Sequence, residues 1–132
     1  MRITLEADYA VRIIDSLARE GKRLGAGMIA EQTGVTLRFC LKILRKLGQA
    51  GLVKSFKGVQ GGYELVREPS EITLRDVIEA VDGPILIGRC LDGLACKRVD
   101  NPQVCFYHNA FADVSEMVRD KLSSITFAET RK

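Results

Sequence analysis

Residues 26–51 read AGMIAEQTGVTLRFCLKILRKLGQAG, and this stretch decides the fold. Met28, Ile29 and Ala30 make an apolar run that predicts a short helix from Ala26 to Gln32. Thr33, Gly34 and Val35 form a turn. Thr36 is placed to cap a second helix, from Leu37 to Ala50, which Gly51 stops. Leu37, Leu41, Leu44 and Leu47 recur at core spacing, with Cys40 beside them as a small buried hydrophobe. Arg38, Lys42 and Arg45 recur at i, i+4 and i+7 on another face. Two short helices about a Gly-containing turn are a helix-turn-helix pattern. The second helix of such a pair enters a major groove with its N-terminal residues nearest the bases, here Thr36, Arg38 and Lys42.

Upstream, Thr4 caps a predicted helix over Leu5–Arg19. Tyr9, Ile13 and Leu17 with Val11, Ile14 and Ala18 give it a broad apolar face, and Gly21 and Lys22-Arg23 end it. Downstream, the runs 52–56 and 63–66 flank the turn KGVQGG of residues 57–62, a hairpin that reads as a wing. Its glycines suit close approach to a sugar-phosphate strand, and Lys57 and Gln60 are placed for a minor groove. Thr73 and Asp76 then open a helix from Leu74 to Val81, closed by Asp82-Gly83-Pro84. Residues 87–103 read as a loop. Asn101-Pro102 resembles a cap and first-turn proline for a long last helix over Gln103–Ser123. Its seam of Phe111, Val114, Val118, Leu122 and Ile125 suits packing on a second subunit. The fold expected is mainly α with a small β wing. A winged helix-turn-helix domain spans 1–83 (helix-turn-helix 26–50, wing 52–66), a ligand loop 84–104, and a dimerisation helix and tail 105–132.

Charge supports a polyanionic partner for one face. The net charge is +3, but residues 1–66 hold 11 Lys and Arg against 6 Asp and Glu, while residues 67–132 hold 9 against 11. No acid lies between Glu31 and Glu64, where Arg38, Lys42, Arg45, Lys46, Lys54 and Lys57 all fall. No apolar run is long enough to span a membrane. The charged N-terminus lacks a secretory signal, so a cytoplasmic location is expected. Thiols stay reduced there, which favours metal or redox use of cysteine over disulfides.

Cys90, Cys96 and Cys105, spaced C-x5-C-x8-C, precede His108, the only histidine. Cys105 and His108 are three apart and share a helix face. Thiolates are soft ligands for iron–sulfur clusters, copper(I) or zinc. Zinc sites favour tight pairs absent here, whereas iron–sulfur ligation tolerates irregular loops. A zinc site and a thiol redox switch remain alternatives. There is no Ser-His-Asp set and no phosphate loop, so an enzyme is not expected.

Together these features resemble the winged helix-turn-helix regulators that include IscR, NsrR and CymR, the Rrf2 family. The residues that carry the resemblance are Met1–Thr4 with Tyr9-Ala10, Ile29–Val35, Leu44–Leu47 with Gly51–Val53, Gly61-Gly62-Tyr63, Ile78–Gly83, and the three later cysteines. The resemblance implies a homodimer on near-palindromic double-stranded operator DNA. In IscR-like members three cysteines and a histidine hold a 2Fe-2S cluster, which implies Cys90, Cys96, Cys105 and His108 here. In NsrR-like members a partner's first-helix aspartate completes a 4Fe-4S site, a part that would fall to Asp8. CymR-like members lack the cysteine triplet. The spacer from Cys96 to Cys105 is longer than is typical of IscR. The expected function is a transcription regulator whose cluster, 2Fe-2S or alternatively 4Fe-4S, senses iron or cluster supply, redox state or nitric oxide. Its DNA-contacting residues would be Thr36, Arg38, Lys42, Arg45, Lys54, Lys57 and Gln60. The rival is a cluster-bearing electron-transfer or scaffold protein, against which the acid-free basic stretch speaks. His108 is chosen over Asp8 as fourth ligand because it lies one turn from Cys105.

Overall fold

The computed structural model describes residues 2–93, 101 and 104–128. The order is α1 (Leu5–Glu20), α2 (Ala26–Thr33), α3 (Leu37–Gln49), β1 (Val53–Phe56), β2 (Gly62–Leu65), α4 (Leu74–Asp82) and α5 (Phe106–Ser123). Short 3-10 turns cover Pro69–Glu71 and Arg89–Asp92.

Local chemistry sets most of the boundaries. The Thr4 hydroxyl accepts from the Ala7 N–H, and Gly21 ends α1 in the left-handed region. Thr36 caps α3 through the Phe39 N–H. Leu52 N–H donates to Leu47 O and Gly51 N–H to Gly48 O, a Schellman end in which Gly51 supplies φ 78°. Thr73 and Asp76 form a reciprocal capping box at the start of α4.

The core lies where α1, α3 and α4 meet. Ile13, Ile14 and Leu17 of α1 pack with Cys40, Ile43, Leu44 and Leu47 of α3 and Val77 of α4. Each large side chain buried this way contributes roughly 1.5–3 kcal/mol. Lys46 Nζ lies 2.7 Å from Glu6 Oε1 and fastens α3 to α1 from the side. Lys46 is thereby withdrawn from the basic surface.

Several expectations need correction. Leu37 and Leu41 are exposed, not core. The inner face of α3 is instead Cys40, Ile43, Leu44 and Leu47. The loop expected over 87–103 includes the 3-10 turn at Arg89–Asp92. The last helix begins at Phe106 with Cys105 as its cap residue; Pro102 and Gln103 lie outside the described residues. Ile125 is beyond α5. Its carbonyl accepts from Leu74 N–H, and Phe127 N–H donates to Ile72 O, so residues 125–127 pair with 72–74 and bury Phe127 in the core.

The expected seam of α5 is also divided. Phe111, Val118 and Leu122 lie on the side of buried Ser115. A second apolar stripe, Phe106, Tyr107, Ala110, Val114 and Met117, runs along the outer side, and all but Ala110 are exposed. Val114 borders both, since it is exposed yet lines, with Val118 and Leu122 of the expected seam, the hollow beside Ile78 and Ile85.

Candidate nucleic-acid interface and cysteine segment

The buried residues of α3 centre on one direction. At about 100° per residue, Arg38, Lys42 and Arg45 cluster on the opposite pole. All three are exposed, as are Thr36, Lys54, Lys57 and Gln60. Among the described residues no carboxylate lies within ion-pair distance of Arg38, Lys42, Arg45, Lys54 or Lys57. A row of unneutralised cations on a protruding helix and an adjacent hairpin matches a phosphate backbone in charge and shape. The Thr36 hydroxyl is already engaged as the α3 cap.

The wing pairs Val53 with Leu65, Lys54 with Glu64, Ser55 with Tyr63 and Phe56 with Gly62. Two bonds between Leu24 and Tyr63, 2.9 and 2.7 Å, dock it on the link from α1 to α2. That docking explains the glycine pair. A Cβ on Gly62 would come within 2.5 Å of Leu24 O, and one on Gly61 within 2.4 Å of Phe56 O. Internal crowding by itself requires glycine at both positions, independently of what the wing approaches.

Arg23 is the residue that sequence reasoning missed. Its guanidinium sits 3.4 Å from the Phe56 ring centroid. It also donates to Gln60 O at 3.1 Å and lies 3.6 Å from Glu64 Oε1. Planar stacking plus a fork of donors is chemistry that arginine supplies and lysine does not. Arg23 thus holds the wing turn that presents Lys57 and Gln60. Nothing in the Lys22-Arg23 dipeptide signals this, because all three partners are distant in sequence.

Cys105 is 7% exposed and is the cap residue that opens α5. His108 lies one turn further, and its Nδ1 is buried with no hydrogen-bond partner among the described residues. Cys90 is half-buried in the 3-10 turn that packs on α5. The segment before it is strapped down. Ile85 N–H donates to Glu79 of α4, Arg119 of α5 donates to Ile85 O, and Ile87 N–H donates to Ser115 Oγ at 2.8 Å. Cys96 lies outside the described residues, and among those described no three His, Cys, Asp or Glu side chains converge on one point. Asp8 is partly exposed and paired with Arg12 at 2.9 Å. Cys40 is fully buried, and burial pushes its thiol up to about 11, as befits a packing residue.

Among the described residues no helix is long and apolar enough to cross a membrane. Residues 3–131 match the sequence profile of the family described as Rrf2: Iron-dependent Transcriptional regulator. The chain is 33% identical over 131 residues to the HTH-type transcriptional regulator IscR of Serratia proteamaculans, covering 98% of this chain and 78% of that one. Its fold is similar to CymR (YrzC), the global cysteine regulator of B. subtilis, with a TM-score of 0.78 at 25% identity over 99% of this chain and 96% of that one. It is also similar to T. potens IscR, with a TM-score of 0.76 at 26% identity over 98% and 85%. The winged helix, the bare basic face of α3 and a match across nearly the whole chain converge: the protein belongs to the Rrf2 family of DNA-binding transcription regulators and is not an enzyme.

Proposed function

We propose that this regulator works as a homodimer whose affinity for operator DNA is set by an iron–sulfur cluster. The observation that carries the reading is the pair at the start of α5: a buried thiol, Cys105, beside an imidazole whose buried Nδ1 has no partner among the described residues. A buried nitrogen left unsatisfied costs about 1–3 kcal/mol, a cost that ligation removes. The residues suit the group. Cys90, Cys96 and Cys105 would hold it as thiolates and His108 through a ring nitrogen. The 2Fe-2S form is preferred, with 4Fe-4S the alternative if Asp8 of a second protomer takes the fourth place. When bound, the cluster supplies a soft, redox-sensitive cross-link between loop and helix.

The remaining steps belong to the chain. Cys90 follows a segment fastened to both α4 and α5 through Glu79, Arg119 and Ser115. α4 packs on α1 and α3, the DNA-binding unit. α5 presents its outer stripe for a partner. A shift of α5 relative to α4 changes the separation of two recognition helices, which must match half-sites about 34–36 Å apart. Arg38 and Lys42 serve base edges, while Arg45, Lys54, Lys57 and Gln60 serve the backbone and minor groove.

The test is anaerobic purification followed by visible absorption, iron and sulfide assays on wild type and on Cys90→Ala, Cys96→Ala, Cys105→Ala, His108→Ala and Asp8→Ala. Loss of the chromophore in all three cysteine variants and a changed spectrum in His108→Ala are expected. If all of these keep the wild-type spectrum and iron content, the reading is wrong. Protein without iron or sulfide whose DNA affinity follows reversible thiol oxidation would instead be a thiol switch.

A further inference from the structure

The recognition helix carries two leucines that the core does not use. Leu37 is 50% exposed and Leu41 43% exposed, while Cys40, Ile43, Leu44 and Leu47 of the same helix are buried. At about 100° per residue the two leucines stand about 40° apart. They occupy the flank between the buried face and the pole of Arg38, Lys42 and Arg45. Both lie in the N-terminal half of α3, the part of a recognition helix that reaches base edges.

The charge beside them selects the occupant. Arg38, Lys42 and Arg45 have no carboxylate in ion-pair range among the described residues. A second copy of the same face would bring like charges together. A duplex instead offers phosphates to the cations. In its major groove the apolar feature facing a helix is the C5-methyl group of thymine. Leu37 and Leu41 have no hydrogen-bonding atoms in their side chains, so they can read that methyl group and no polar edge.

We infer that Leu37 and Leu41 are specificity residues that recognise thymine methyl groups, so that operators of this protein carry A·T pairs opposite the first two turns of α3. The inference rests on the operator-binding reading above and assigns its apolar part.

The probe is a duplex enriched by the purified protein from random-sequence DNA, with each thymine replaced in turn by uracil, which deletes the methyl group alone. Uracil at one or two positions in each half-site should weaken binding about fourfold per methyl removed, the worth of burying one such group. Leu41→Ala or Leu37→Ala should weaken binding to the thymine duplex by a similar factor and abolish the uracil effect at one position. Both side chains are exposed, so neither truncation opens the core, and circular dichroism checks this. An enriched duplex that tolerates uracil everywhere overturns this inference and leaves operator binding standing. So does full uracil sensitivity in both leucine variants, or a changed oligomeric state with unchanged sensitivity. Failure to enrich any duplex overturns operator binding and this inference together.

Discussion

Met117→Glu should convert the protein to monomers without unfolding it. Met117 is 70% exposed and Phe106, on the same outer stripe of α5, 76% exposed. Neither contributes much to the protomer's own core. Full burial of a methionine or phenylalanine side chain is worth about 1.5–3 kcal/mol, so covering the exposed part of Met117 is worth roughly 1–2 kcal/mol. In a two-fold interface the residue occurs twice, giving roughly 2–4 kcal/mol for the pair. Losing that weakens association about 30- to 1,000-fold, before the desolvation of two glutamates adds several kcal/mol more. Sedimentation equilibrium over a micromolar series, with thermal melts alongside, reads both quantities. The control is Val118→Glu, on the inner side of α5, which should lower the melting temperature before it affects assembly. A Met117→Glu protein as dimeric as wild type would place the interface elsewhere and refute the assignment of the outer stripe.

Arg38→Ala should cost roughly 1–3 kcal/mol on a preferred duplex and little on random DNA, whereas Lys57→Ala should weaken both and flatten the salt dependence; equal losses on both duplexes for Arg38→Ala remove it from base reading. Arg23→Ala should reduce DNA affinity in the wild-type background and have little effect once Lys57 and Gln60 are both alanine, because it acts by holding the wing; an undiminished loss in that background would mean that Arg23 touches DNA itself. The raised Cys40 thiol should make stability sag at alkaline pH. The unfolded chain loses this proton near 9.0 and the folded chain near 11, so the contribution is intact below about 9 and lost as pH rises toward 11. Denaturant melts of Cys40→Ala should lack that sag, and an identical pH profile for the two proteins would refute it.

The DNA-binding half was legible because its signals are local. Thr4, Thr36 and Thr73 cap helices, and Gly21 and Gly51 end them, within a few residues of sequence. What sequence misjudged is which of two patterns faces inward. On α3, Leu37-Leu41-Leu44-Leu47 and Cys40-Ile43-Leu44-Leu47 both satisfy helical spacing, and only packing against α1 and α4 selects the second. On α5, two apolar stripes coexist, and spacing merged them. The docking of Leu24 on Tyr63 and the return of residues 125–127 to 72–74 rest on a few long-range backbone bonds, which leave no periodicity to read. The cysteines were legible as chemistry. Where they lie relative to one another was not, since that depends on a loop without periodicity and on Cys96, outside the described residues.

Ser115 offers a way to test how the cysteine segment is coupled to α5, the helix proposed to carry the partner surface. It is fully buried, donates to Phe111 O at 2.7 Å and accepts from Ile87 N–H at 2.8 Å. Nearby, Gly88 approaches Phe111 so closely that a Cβ there would lie 3.0 Å from its ring. Only Gly88 and Arg89 lie between Ile87 and Cys90, so this hydroxyl is the fastening to α5 nearest the Cys90 turn. Ser115→Ala keeps the volume of the site nearly unchanged and leaves the Ile87 N–H without its acceptor, at a cost of about 1–3 kcal/mol. That cost falls on the strap rather than on the core, because Glu79 and Arg119 still hold Ile85. The melting temperature should therefore drop modestly, association through the outer stripe should persist, and metal-loaded protein should lose iron faster to a chelator than wild type does. Ser115→Thr, which keeps the hydroxyl, should recover most of the retention if the added methyl is tolerated. Iron release from Ser115→Ala at the wild-type rate would mean that the strap does not position Cys90, and that the ligands are held by the loop alone.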